Sequence, residues 1–435
     1  MGTPSAASDG VARLVIGEKR HEVPLVVGSE GEVALDISRL REGAGCLVLD
    51  ESLENTASCR SAITFLDGEK GTLRYRGYPV EELAERSTFT EVAYLLLYGE
   101  LPRREQLAEF SRFLNESSLI HEDMHHLFVG IPKGSAPMGI LATMVAALAT
   151  FYPLPEELSA AEERQILANL ISQVRTIAAF SYKKSIGEPV VYPSVSLRYV
   201  PNFLTMMFSS SVKDHQLEDD IVRAIDLYLI LHADHEQNCS TSTVRIVGSS
   251  RTNLYAAISA GIAALWGPQH GGANAEVIRM LTSILESGGD GTEFIARAKD
   301  ERSPQRIPGF GHLVYRTTDP RARVLKKCCH TLLSKPGMTD PLFDIALRLE
   351  ELALRDEYFL SRNLYPNVDF YSGLILRAAG IPLNMFTVMF AIGRMPGWLA
   401  NWREMRHSGK ARIVRPRQIY IGQGLRKYQD MRERG

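Results

Sequence analysis

The spacing of apolar positions along the chain changes once, near residue 75. Before it, Arg13-Leu14-Val15-Ile16-Gly17, Val23-Pro24-Leu25-Val26-Val27-Gly28 and Gly45-Cys46-Leu47-Val48-Leu49-Asp50 are short apolar or β-branched runs cut by glycine and charge. Such runs read as strands, so residues 1–63 are expected to form a small β-rich unit. Beyond it the pattern is helical. Thr88-Phe89-Thr90-Glu91 has the spacing of a capping box opening a helix from Val92 to Tyr98, which Gly99 closes. Tyr255 to Trp266 is an alanine-rich helix stopped by Gly267-Pro268. The most apolar stretch, Met138 to Phe151, is shorter than the ~20 residues a bilayer span requires and predicts a buried core helix. No repeat or low-complexity tract occurs, so internal boundaries fall at short turns such as Gly288-Gly289-Asp290-Gly291.

Composition then narrows the class. A chain of 435 residues, 45% hydrophobic, can bury the cores of two or more domains. Its 49 basic and 51 acidic residues leave a net charge of -2, with no electrostatic footprint for nucleic acid or an anionic membrane. Five cysteines, an odd count without a CxxC pair, fit a reducing compartment. Met1 to Gly10 has neither a basic start nor an apolar core, so it does not read as a secretory signal, and the terminal Arg-Glu-Arg-Gly is no peroxisomal address. The cytoplasm is the expected location.

Candidate chemistry sits in glycine-rich or turn-rich segments. His121-Glu122-Asp123-Met124-His125 matches HExxH, which on a helix presents two imidazoles to zinc; the stretch Leu127 to Tyr152 lacks the third ligand, and the match reads as accidental. Gly309-Phe310-Gly311 has no third glycine at 314 to complete a dinucleotide fingerprint. His232-Ala233-Asp234-His235-Glu236-Gln237-Asn238 is too polar for a buried helix without partners. It leaves three readings open: a polar partner, metal ligation by His232 and His235, or a core histidine bonded to backbone. His270 stands between Gly267-Pro268 and Gly271-Gly272, and His312 follows Pro308 and two glycines, settings in which a backbone can approach a ligand closely. Asp369 can cap the helix running on from Phe370 or act as a base. Two imidazoles and a carboxylate are the groups needed to take a proton from carbon next to a carbonyl and stabilise the enolate.

In chain order the segments are LHADHEQN at 231–238, STSTVR at 240–245, LWGPxHGGAN from Leu265 to Asn274, GFGH at 309–312, DPRA at 319–322 and YPNVDFYSG at 365–373. The set resembles the citrate synthases, specifically the longer bacterial type with an N-terminal β-rich extension, from Ser58 to Tyr420. The resemblance implies a mainly α, two-domain helical fold, with a large domain at 64–281 plus 384–435 and a small one at 282–383 that closes over the cleft. It implies that Asp369 takes a methyl proton from acetyl-CoA, that His270 stabilises the enol, and that His312 polarises the ketone of oxaloacetate. Arg321, Arg394 and His235 would hold the dicarboxylate, with Arg415 reaching in from a neighbouring subunit, and Gly309, Gly311 and Arg316 would meet CoA. No metal or redox cofactor is implied. The chain would be a dimer at least and commonly a hexamer.

Three positions depart from the family pattern: Leu313 where a basic residue is frequent, Gln269 where a small one is usual, and Ala275 where glutamate is common. Leu313 weakens the case for a phosphate contact, for which Arg306 and Arg316 are nearby substitutes. The rival readings are a 2-methylcitrate synthase using propionyl-CoA, against which the N-terminal extension stands, and a catalytically silent homologue, against which the retained His270, His312, Asp369 and arginines stand.

Overall fold

The computed structural model describes residues 10–155, 157–300, 302, 307–409 and 412–434. The N-terminal segment, in which no secretory signal was read, lies largely outside them, as does Arg306. With 53% helix and two small three-stranded sheets, the chain is mainly α, as the spacing predicts. It divides into two compact units, 1–60 with 414–435, and 61–413.

The first unit contains an antiparallel sheet of Val11–Ile16, Lys19–Val27 and Val33–Leu35, with Val11 opposite Pro24 and Val27 opposite Val33. Two of the expected strands are there. The third is not: Gly45–Asp50 is irregular, and the short Val33–Leu35 pairs instead. A helix at Leu40–Ala44 ends at Gly45 in the left-handed conformation, φ +73, its N–H on the Arg41 carbonyl. The apolar run that follows has no ladder partner among the described residues, and without one an apolar run is not a strand.

In the second unit, Thr64–Asp67, Thr72–Tyr75 and Tyr78–Pro79 form an antiparallel sheet, so strands persist past the expected boundary at 63. Helices follow. Phe89–Tyr98 begins with the Thr88 side chain accepting from the Glu91 N–H and ends at Gly99, φ +94. Only half of the predicted box forms, because the Glu91 carboxylate accepts a hydrogen bond from the Ser87 hydroxyl instead. Pro137–Phe151 starts on proline and buries Met138, Leu141, Met144, Val145 and Leu148 against Leu254–Leu265. Ala160–Ile186 and Phe386–His407 are buried around most of their circumference and form the centre of the unit. No described helix is long and apolar enough to cross a membrane.

Helix 386–407 carries Pro396 in its interior, where a missing N–H would break an ordinary helix. Close packing compensates. The Gly397 N–H donates to the Ala233 carbonyl at 3.1 Å, and a Cβ on Gly397 would lie 2.3 Å from that oxygen. The glycine lets this helix press against the end of helix Asp219–His232, where the candidate site begins.

Thr88→Ala removes one cap acceptor and should lower unfolding free energy by about 1 kcal/mol. Urea denaturation read by circular dichroism checks this, with an unchanged m-value expected.

Candidate active site

The polar segment 232–238 finds its partners inside the protein. His232 is fully buried and its Nδ1 meets the Tyr228 carbonyl at 2.7 Å, so the ring is a core histidine bonded to backbone. Asp234 accepts from Thr64 Oγ1 at 2.6 Å, its carbonyl accepts from the Tyr75 hydroxyl at 2.9 Å, and Gln237 Nε2 donates to Asn401. Asn238 caps helix Cys239–Ser249 by accepting from the Thr241 N–H. His235 turns to the His312 segment: its Nε2 lies 3.2 Å from the Tyr315 hydroxyl, and its ring meets that of His312 edge-on at 5.3 Å.

His270 lies on the turn between helices Leu254–Leu265 and Ala273–Glu286. Gly271 is required there, since a Cβ would sit 2.4 Å from the Leu265 carbonyl. The His270 Nε2 is 3.3 Å from the Ser240 N–H and 2.9 Å from the Ser240 hydroxyl. That hydroxyl accepts from the Trp398 indole, and its single proton faces two acceptors, Asn238 Oδ1 at 2.8 Å and His270 Nε2. Because a backbone N–H can only donate, Nε2 holds the lone pair and the ring proton sits on Nδ1. Burial and the charge of Arg394 pull its pKa down to about 4, so the imidazole is neutral at pH 7.

His312 shows the opposite tautomer by the same logic. Its Nδ1 accepts the N–H groups of Val314 and Tyr315 at 3.0 and 3.2 Å, which leaves the proton on Nε2. Burial and Arg321 lower its pKa to about 4.

The loop that carries His312 is zipped to the segment that carries Asp369. The Gly311 N–H donates to the Tyr365 carbonyl, the Asn367 N–H to the Gly309 carbonyl, and Asn367 Nδ2 to the Gly311 carbonyl, each at 2.8 Å. Gly309 and Gly311 have φ of +82 and +79, and a Cβ on Gly309 would meet the Phe370 Cα at 3.0 Å. Their backbone and packing therefore require glycine whether or not a ligand approaches.

Asp369 does not cap its helix. Val368–Ala378 is capped by Asn367, whose Oδ1 accepts the Asp369 N–H at 2.9 Å, and the cap-only reading falls because Asp369 already lies inside the first turn. Desolvation raises the Asp369 carboxyl to about 6, with Arg321 pulling it down and Asp319 pushing it up.

Arg321 is buried and forms a forked pair with Asp319, Nε to Oδ1 at 3.0 Å and Nη2 to Oδ2 at 2.9 Å. The same carboxylate caps helix Pro320–Leu333 through the Arg321 N–H and accepts the Val368 N–H at 3.0 Å. Arg321 outweighs burial and holds Asp319 below the usual carboxylate range. Arg394 gives its Nε to the His232 carbonyl at 2.7 Å, while its buried Nη1 has no partner among the described residues. Burial lowers the Arg394 pKa to about 10, well above neutrality.

The profile described as citrate synthase, C-terminal domain, matches residues 52–417. Citrate synthase 1 of Mycobacterium tuberculosis is 48% identical over 426 residues, covering 97% of this chain and 98% of that protein. The chain belongs to the citrate synthase family. Solved structures agree: citrate synthase from Pyrobaculum aerophilum matches at TM-score 0.79 and 34% identity, over 94% of this chain and 97% of that one. The ternary complex of the Thermoplasma acidophilum citrate synthase with carboxymethyl coenzyme A and oxaloacetate matches at TM-score 0.82 and 30% identity, over 89% and 100%. The chain is thus a citrate synthase, an acyltransferase.

Sequence reading did not single out Tyr315, and it quoted Ser240 and Asp319 inside the STSTVR and DPRA segments without giving either a role. Their signal was present in part: Asp319 precedes a proline as caps do, but no spacing reveals that Ser240 and His270 meet across 30 positions. Arg316 is exposed, its N–H tied to the Gly68 carbonyl at 3.0 Å, and Leu313 is 90% exposed. Arg415 belongs to the first unit and is exposed there. The HExxH segment does not form one helix face, because the helix starts at Met124 and leaves His121 outside; among the described residues no group of three or more His, Cys, Asp or Glu is placed to hold a metal ion.

Asp319→Ala would strand a buried guanidinium and should cost about 3 to 5 kcal/mol in chemical denaturation. Since the folded-state pKa of Asp319 is depressed, the pair contributes fully above the unfolded carboxylate value, about 3.9, and is lost as pH falls through the lower folded value. The gap between wild type and variant should therefore narrow below about pH 4.

Proposed function

We propose that this citrate synthase condenses acetyl-CoA with oxaloacetate and water, giving citrate and CoA. The observations that carry the reading are two imidazoles held neutral in opposite tautomers, a carboxyl raised to about 6 on the segment zipped to the His312 loop, and buried arginines that act on all three. Asp369 takes a methyl proton from acetyl-CoA, and His270 donates its Nδ1–H to the thioester oxygen as the enol forms. The enol carbon attacks the ketone of oxaloacetate, the ketone oxygen takes the Nε2 proton of His312, and the proton that Asp369 removed returns to that imidazole, which resets both groups. Water then adds to the thioester of citryl-CoA; the new C–O bond replaces the C–S bond, and CoA leaves as the thiol. With both imidazolium pKa values lowered to about 4, the rings are neutral at pH 7 and each meets developing negative charge with an N–H fixed in place. No metal or redox cofactor takes part.

Oxaloacetate would be held by the free Nη1 of Arg394, by Arg321 and by His235, with Arg415 supplied by a neighbouring subunit. The likeness to a relative solved with oxaloacetate supports this assignment. Gly309, Gly311 and Arg316 are proposed to meet CoA. A small domain at 282–383 would close on a large one formed by 64–281 and 384–435, shielding the enol from water. The active form would be a cytoplasmic dimer at least, and a hexamer in the longer assembly.

Propionyl-CoA differs by one methylene, worth only about 1 to 3 kcal/mol in an apolar pocket. Thiol release from oxaloacetate with either thioester decides the substrate: faster release with acetyl-CoA is expected, and a preference for propionyl-CoA would make the chain a 2-methylcitrate synthase. Release with neither would leave a silent homologue.

Asp369→Asn should keep oxaloacetate binding and lower turnover at least about 10²-fold. In the wild type, activity requires the ionised carboxylate, so kcat/KM should rise with pH through about 6. Near-normal turnover in the pure variant would remove Asp369 from the role of base.

Co-refolding tests the shared arginine. Inactive Asp369→Asn and Arg415→Ala chains, paired at random, should form mixed dimers in which one pocket has both intact residues. Activity should then return to about a quarter of wild type. Tagged hetero-oligomers without recovered activity would place Arg415 outside a neighbour's pocket.

A further inference from the structure

One tyrosine touches three of the side chains proposed to meet oxaloacetate. Tyr315 is 1% exposed, and its hydroxyl lies 3.2 Å from His235 Nε2, with the two ring centroids 5.6 Å apart. Its backbone N–H donates to His312 Nδ1 at 3.2 Å, and its ring is tilted against the His312 ring at 4.7 Å. The Arg321 guanidinium stands over the tyrosine ring at 5.9 Å.

The chain on either side of the tyrosine is held in place. The Arg316 N–H donates to the Gly68 carbonyl at 3.0 Å, and a Cβ on Gly68 would stand 2.1 Å from the Val314 carbonyl oxygen. A Cβ on Gly71 would meet the Thr318 carbonyl oxygen at 3.0 Å. The turn between strands 64–67 and 72–75 therefore packs directly on residues 314–318, and this contact limits where the Tyr315 side chain can point.

This geometry sets the direction of the hydrogen bond. Among the described residues the Tyr315 hydroxyl has one hydrogen-bond partner, His235 Nε2, and a buried hydroxyl proton without an acceptor is costly. The phenol is therefore the donor, Nε2 holds the lone pair, and the His235 proton sits on Nδ1. Burial and the charge of Arg321 hold His235 well below the usual imidazole pKa, so the ring is neutral, while desolvation raises the Tyr315 phenol and keeps it protonated. His235 Nδ1 forms no hydrogen bond with the described residues, which leaves its N–H for a substrate oxygen.

We propose that Tyr315 is a positioning residue for oxaloacetate: its hydroxyl fixes the tautomer and ring angle of His235, so that the imidazole presents Nδ1–H to the dicarboxylate. The inference rests on the reading of His235 as an oxaloacetate ligand. Side chain and backbone of Tyr315 have separate tasks. The hydroxyl serves binding through His235, whereas the backbone N–H orients the proton donor His312 and survives any side-chain substitution. Without the phenol the imidazole is free to turn or to take the other tautomer, and an acceptor then faces the substrate carboxylate in place of a donor.

Tyr315→Phe tests the inference, because it removes the hydroxyl and keeps the ring against His312 and Arg321. Steady-state thiol release is followed with each substrate varied while the other saturates. Oxaloacetate KM should rise about tenfold, the factor one ordinary hydrogen bond supplies, with kcat and acetyl-CoA KM each within about twofold. An unchanged oxaloacetate KM overturns the proposal, and so does an equal rise in both KM values, which marks general loosening. A cycle with His235→Ala separates action through His235 from a structural effect. Adding Tyr315→Phe to His235→Ala should change oxaloacetate KM by less than about twofold, and a second rise of about tenfold would overturn the idea. Should the Phe variant not fold, Tyr315→Met, whose flexible side chain fills the gap, is read in the same cycle. The two readings fail differently. An unchanged oxaloacetate KM in His235→Ala removes His235 as a ligand and the proposal with it, whereas a rise in His235→Ala without one in Tyr315→Phe overturns the inference alone.

Discussion

The buried carboxylate of Asp319 is the constraint on which the site depends. One anion grips the Arg321 guanidinium with both oxygens, caps the helix of Arg321, and accepts the Val368 N–H at the start of the helix bearing Asp369. A buried ion pair adds little net stability compared with apolar packing, because both charges must leave water. Its use lies in geometry: removing either partner strands the other, so the arginine and the proposed base are held in one arrangement. Asn367 adds the second fixing point, joining the His312 loop to that same helix.

Electrostatics follow from this packing. The imidazoles of His270 and His312 lie where burial and arginine charge both disfavour protonation, and each has its inner nitrogen committed to a backbone N–H. Asp369 experiences the same burial with the opposite result, because desolvation lifts an acid's pKa while it lowers a base's. One low-dielectric setting thus yields neutral donors and a carboxyl poised near the working pH, which is the division of labour that proton abstraction beside a carbonyl requires.

Local signals in the sequence were legible where local physics decides. Thr88 and Gly99 bound their helix, Pro137 starts the apolar core helix, and Gly267-Pro268 ends the alanine-rich one within a residue. They misled where a partner was needed. Gly45–Asp50 has strand composition but no neighbour to pair with, the Glu91 half of the capping box was taken by Ser87, and HExxH lost its first histidine to the turn before Met124. Asp369 looked like a cap because aspartate is a good one, yet Asn367 two positions earlier reaches the N–H first.

The sequence by itself determined the helical class, the order of the motifs and the family, because those depend on residue type, spacing and the presence of His270, His312 and Asp369 in their turns. Which nitrogen of each imidazole carries the proton was decided only by tertiary structure. It depends on Ser240 reaching His270 across 30 positions, and on a turn folding the N–H groups of Val314 and Tyr315 back onto His312. The same holds for the zipping of the GFGH loop to Asn367 across 56 positions. Hydrogen bonds between segments distant in sequence form only when the core brings their helices together, and a lone sequence does not reveal which distant N–H will face which side chain.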